Sequence, residues 1–223
     1  MVWSCLVSIL PGMAQTEKLT DYVNPFVGTD GYGNVYPGAQ IPFGGIQISP
    51  DTDSRFYDAA SGYKYNHLTL MGFSLTHLSG TGIPDLGDFL FIPGTGEMKL
   101  EPGTHEDPDQ GYRSRYSHDK EWASPNYYAV ELADYGVKAE MTSGVRSGMF
   151  RFTYPESDNA FIMIDMNHTL WQSCEWSNLR MINDSTITGY KLVKGWGPER
   201  HVYFTATFSK KLTGLRFVQD KKP

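Results

Sequence analysis

The sequence has no run of Lys or Arg longer than two residues, and its net charge is −6. It therefore carries no electrostatic footprint for nucleic acid or for an anionic membrane surface. It has no Gly-Lys-Ser/Thr triplet, and its Gly31-Tyr32-Gly33 is neither preceded by a βαβ pattern nor followed by a helix. A phosphate cradle needs a helix N-terminus behind the glycines, so a P-loop or dinucleotide site is excluded. There is no His-x-x-x-His or Cys-x-x-Cys pair of the kind that marks zinc. There is no Gly-x-Ser-x-Gly elbow to present a nucleophile. After Met71 no stretch holds an apolar i, i+3, i+4, i+7 stripe over three turns, which argues against amphipathic helices. Cysteine is scarce: Cys5 and Cys174 are the only two.

Cys5 lies in the apolar opening "MVWSCLVSILPGMAQ", which ends in Gly12-Met13-Ala14. This reads as a secretory signal covering residues 1–14 and cut after Ala14, although it lacks the usual basic n-region. It is too short to span a bilayer. Its removal leaves residues 15–223 as one secreted or periplasmic domain in which Cys174 has no disulfide partner.

What is present is apolar and aromatic. Hydrophobic residues make up 40% and charged ones 20%, enough for a packed core, and 14 Tyr and 5 Trp are many for the length. Such rings stack on sugars or fill β-sheet cores, and composition alone favours the second. Residues 16–60 are dense in Gly, Pro, Asn and Asp, and Pro25, Pro37, Pro42 and Pro50 would break any helix. This predicts a long loop region with short extended pieces near residues 45–49. From Asp88 onward the text turns β. Residues 88–100 predict a hairpin around Pro93-Gly94-Thr95-Gly96, and strands are expected over 126–133, 137–145 and 148–154. Further strands follow in "NAFIMIDM", "STITGYKLV" and "HVYFTATF". Strands at about ten-residue spacing with turns between them predict an all-β fold, an antiparallel β-sandwich.

The stretch "GFSLTHLSGTGIPDLGDF", residues 72–89, concentrates groups with chemical potential. His77 and Ser79 put a hydroxyl near an imidazole, but two-residue spacing seldom aligns both. Asp85 and Asp88 have the types needed for glycoside hydrolysis, which uses two carboxyls roughly 5–10 Å apart. The plainer reading makes them turn-formers around Gly87. Asp51, Asp53 and Asp58 begin like an EF-hand, but Arg55, Phe56 and Gly62 fall where ligands, the turn glycine and the bidentate Glu belong. His67 and His77 would share a metal only if folding joined them. Asn167-His168-Thr169 and Asn183-Asp184-Ser185 fit the N-glycosylation triplet.

Taken in order, "YVNPFVGTD", "GNVYPGAQIPFGGIQISPDT", "SGYKY", "GFSLTHLSGTGIPDLGDF", "ASPNYYAVELADYGVKAEMTSGVRSGMFRFTYP" and "GYKLVKGWGPERHVYFTATF" resemble the N-terminal region of the glycoside hydrolase family 92 α-mannosidases. The resemblance covers about residues 20–215. It implies a secreted, calcium-dependent, inverting exo-α-mannosidase acting on α-mannoside glycans. The family pairs a β-sandwich with a C-terminal (α/α)6-barrel that holds the acid, the base and the calcium ligands. On that implication residues 15–223 are the sandwich of a truncated enzyme, without catalytic residues or metal ligands, that lends loops to the pocket. The resemblance implies substrate contacts at Phe56, Tyr57 and Asp58, where relatives often carry a Trp, and at His77, Ser79 and Gly80, with glycine N–H groups approaching the sugar. Leu75 replaces a His found in many relatives. The alternative is a stand-alone carbohydrate-binding sandwich.

Overall fold

The computed structural model describes residues 17–54, 57 and 59–218. The expected leader, Cys5, Phe56 and Asp58 lie outside them. In chain order the strands are β1 (Ser49–Asp51), β2 (Thr69–Leu70), β3 (Gly72–Ser74), β4 (Leu90–Thr95), β5 (Ser114–Arg115), β6 (Glu121–Ser124) and β7 (Tyr127–Leu132). They continue as β8 (Val137–Ser143), β9 (Gly148–Thr153), β10 (Ala160–Asp165), β11 (Ser173–Asn183), β12 (Thr186–Lys194) and β13 (Arg200–Thr207). Helical structure among the described residues amounts to 3-10 turns, of which Leu19–Tyr22 is the longest. No helix among them is long and apolar enough to cross a membrane.

All pairings are antiparallel, and the fold is a β-sandwich. One sheet has the order β1-β3-β4-β10 and a second β6-β7-β8-β9, while β11-β12-β13 and the short pair β2-β5 complete the set. The first two sheets face each other. Phe73 of β3 meets Phe152 of β9, ring centroids 6.4 Å apart, and Phe91 of β4 meets Phe150 at 5.1 Å. Period-two alternation sends Val137, Ala139 and Met141 of β8 inward. They join Ile48, Tyr128, Val130 and Leu132 in the main core. Phe73 is fully buried, and Phe73→Ala is expected to destabilise by about 3–5 kcal/mol, read from a urea midpoint.

The expected strands over 126–133, 137–145 and 148–154 are β7, β8 and β9, with Gly136 at φ +62 turning β7 into β8. The hairpin expected at residues 93–96 is absent. Pro93 and Gly94 lie inside β4, opposite Ile162 and Phe161 of β10. β3 meets β4 only at Phe91, so Pro93 sits where one side of the strand has no ladder to complete. A side chain at Gly94 would strike the Phe161 ring at 2.4 Å; glycine here accommodates an aromatic neighbour rather than a turn. β11 was not expected at all.

Between β9, β10 and β13 runs an open groove of about 2930 Å³. Phe150, Phe152, Phe161, Met163 and Phe204 line its apolar walls. Cys174 at its margin is a free, half-buried thiol.

Candidate functional site

Residues 72–89 fold back on themselves. Leu75 N–H donates to Asp88 O at 2.9 Å and Gly87 N–H to Thr76 O at 2.8 Å. The Thr76 hydroxyl donates to Asp88 Oδ2 at 2.7 Å and accepts from Asp88 N–H at 3.1 Å. Leu75 packs on the main core, which is the use this chain makes of an apolar residue at that position.

Beneath the loop lies a buried polar lattice. His77 Nδ1 donates to Gln47 O, and Nε2 lies 2.7 Å from Asp51 Oδ1 and 3.1 Å from Ser74 Oγ. Carbonyl and carboxylate are both acceptors, so this geometry calls for a proton on each ring nitrogen. The other Asp51 oxygen accepts from His168 Nε2 at 2.7 Å. Burial pushes the Asp51 carboxyl up, but the His77 charge and the hydrogen bonds from His168 and His77 outweigh it. The group is held well below the usual carboxylate range. Gly62, at φ +85, closes the lattice from above; a Cβ there would lie 2.2 Å from Asp51 Oδ1. Gly62→Ala is accordingly expected to lower stability by at least about 2 kcal/mol in urea denaturation, combining left-handed strain with overpacking.

The lattice continues through Lys191 of β12. Its Nζ donates to His168 O at 2.6 Å, lies 3.0 Å from Asp88 Oδ1 and sits 5.1 Å from the Phe89 ring centroid. Arg200 of β13 binds Asp88 Oδ2. Burial pushes Asp88 up, yet Lys191 and Arg200 hold it below the ordinary range. Asp85 is occupied as well: Oδ1 accepts from Leu86 N–H at 2.6 Å and Oδ2 from Trp196 N–H at 3.0 Å. Reading the pair as turn-formers is thus corrected for Asp88, which is the buried anion joining two sheets. For Asp85 it holds only in part, since half of its bonding goes to the β12–β13 turn 111 residues away.

The Glycosyl hydrolase family 92 N-terminal domain model matches residues 22–223. The chain belongs to this family. A solved gh92 family glycosyl hydrolase, ccman5, is similar with a TM-score of 0.69 and 28% identity, over 83% of this chain and 26% of that one. The family GH92 inverting mannosidase BT2199 of Bacteroides thetaiotaomicron shares the fold at a TM-score of 0.61 and 20% identity, over 86% of this chain and 29% of that one. A protein of Arthroderma benhamiae described as an uncharacterized secreted glycosidase is 30% identical over 139 residues, 61% of this chain and 17% of its own length. The chain thus spans less than a third of each of these relatives.

The family 92 residues expected at the substrate separate into two groups. His77 is buried with both nitrogens engaged, so it presents no atom to a sugar while the lattice stands. Gly80 is exposed and its Cβ direction is open, but its N–H already donates to Asn34 O at 2.7 Å. Ser79 is exposed beside it, and Tyr57 is 55% exposed at φ +64. Two further exposed rings were missed by sequence reasoning: Trp171, at φ +78, and Trp196. Each lies next to a segment bonded to the 83–87 turn, through Leu170 N–H to Leu86 O and through Trp196 N–H to Asp85. A bulky residue at positive φ is strained and often marks a functional position.

Among the described residues the cluster of three metal-ligating groups carries two imidazoles, whereas calcium takes six to eight oxygens.

Proposed function

We propose that this chain acts as the N-terminal domain of a secreted, calcium-dependent, inverting exo-α-mannosidase that removes α-linked mannose from glycans. It supplies pocket-lining loops, and a barrel domain supplies the general acid, the general base and the calcium. The observation that carries this reading is the state of the family 92 loop. Its two acidic residues are consumed internally, Asp88 by Lys191 and Arg200 and Asp85 by backbone N–H groups. A general acid must hold a proton near neutral pH, which Asp88, held below its ordinary range by Lys191 and Arg200, does not. What faces outward is Ser79, Tyr57, Trp171 and Trp196, residues suited to hold a ring rather than to cleave it. The apolar groove along β9, β10 and β13 supports packing against further polypeptide.

Steady-state kinetics of the enzyme joined to its barrel test the assignment. Tyr57→Ala and Ser79→Ala are each expected to raise KM about fivefold with kcat little changed, the loss of roughly 1 kcal/mol of ground-state contact. Unchanged KM in both variants would remove these loops from the pocket. The exposed rings also favour a second reading, a carbohydrate-binding module without catalysis; saturable heat on titrating the isolated chain with α-mannobiosides would support it.

A further inference from the structure

Apart from the His77 lattice, three other side chains converge. Asp53 follows β1, His67 precedes β2, and His105 lies in the excursion between β4 and β5. One ligand atom from each lies within 4.8 Å of the others. We propose that Asp53, His67 and His105 form a binding site for a divalent transition-metal ion of the zinc class.

The geometry is that of a three-residue site with positions left for water or another ligand. His105 Nε2 is 3.2 Å from Asp53 Oδ2. Two ligand atoms held about 2.0–2.1 Å from a tetrahedral zinc would sit roughly 3.3 Å apart. The His67 and His105 rings face each other with centroids 4.0 Å apart, tilted by 48°. The far nitrogen of each is held by a hydroxyl: His67 Nδ1 by Thr52 Oγ1 at 3.0 Å and His105 Nδ1 by Thr69 Oγ1 at 2.8 Å. Such contacts fix the ring orientation of metal-bound histidines, and they make Nε2 the atom each ring would present. On binding, the cation takes the place of the proton between His105 Nε2 and Asp53, and that proton moves to Nδ1, where Thr69 Oγ1 accepts it. Asp53 is buried and both histidines are partly exposed, which leaves an entry path.

Arg113 stands behind the threonines, with Nη1 2.5 Å from Thr52 O and 3.4 Å from Thr69 Oγ1. Its charge opposes a second cation and sets affinity below that of structural zinc centres. Two imidazoles with one carboxylate suit zinc, copper or nickel and disfavour calcium.

Titration of the metal-free full chain with Zn2+, and with Co2+ as a spectroscopic probe, tests the site. One equivalent of Co2+ is expected to bind with visible d–d bands that Zn2+ displaces. His105→Ala is expected to weaken Zn2+ binding by at least about a hundredfold, since even outer contacts of such sites are worth tenfold or more. In the unaltered protein, Zn2+ is expected to shield His67 and His105, but not the exposed His201, from carbethoxylation mapped by mass spectrometry. That measurement requires no variant to fold. No saturable binding below about 0.1 mM, equal affinity in a folded His105→Ala, or absence of shielding would each overturn the proposal.

Discussion

Lys191→Ala is expected to lower folding stability by about 3–5 kcal/mol, the usual effect of removing one partner from a buried ion pair. Lys191 has no solvent exposure, yet its ammonium lies 3.0 Å from Asp88 and donates to His168 O. Burial pushes the ammonium pKa down and Asp88 pulls it back only in part, leaving it lowered. Truncation would strand the Asp88 charge with Arg200 as its remaining cation and leave the His168 carbonyl without its donor. Urea denaturation at pH 7 checks this: the midpoint should fall at an unchanged m-value. Because the pair also carries a burial penalty, the double variant Lys191→Met with Asp88→Asn is expected to be destabilised by less than the sum of the two single changes. Additive losses would mean that the two groups do not act on each other.

Asp51→Asn is expected to have a comparable effect, about 3–5 kcal/mol at pH 7, because it removes the buried anion shared by His77 and His168. This loss carries a pH signature. The folded-state pKa of Asp51 lies below its unfolded value of about 3.9. Its contribution is therefore complete above the ordinary carboxylate range and is lost as pH falls from that range toward the folded value. The stability gap between the parent protein and Asp51→Asn should be widest near neutrality and close progressively below about pH 4. Urea midpoints at pH 7, 5 and 3 check the sign; a gap that widens on acidification would contradict it.

The sandwich was legible because β8 alternates apolar with polar residues, β9 alternates in burial, and glycine turns punctuate β7, β8 and β9. β11 escaped notice because its burial barely alternates and Ser177, Asn178 and Asn183 are weak strand formers. It is held by pairing with β12 along nearly its whole length. Pro93-Gly94 misled for the opposite reason: a strong local turn signal was overridden by tertiary pairing with β10. The candidate site was half legible. Ser79 and Tyr57 can be located from motif position, and both are exposed. The burial of His77 depends on Asp51 and Gln47, 26 and 30 residues away, and the binding of Asp88 on Lys191 and Arg200, more than 100 residues away. No local spacing reports such partners. The same holds for Asp53 with His105, 52 residues apart.

The proposed division of labour is that this family 92 chain lends loops to a pocket while a barrel domain supplies the proton donor and acceptor. Release of mannose from an α-mannobioside by the purified 223-residue chain, with calcium present, tests that most directly. No release above the uncatalysed background is expected from the chain alone, and release is expected once a separately made barrel domain is added. Turnover by the isolated chain, abolished by substitution of one of its own carboxylates, would contradict it.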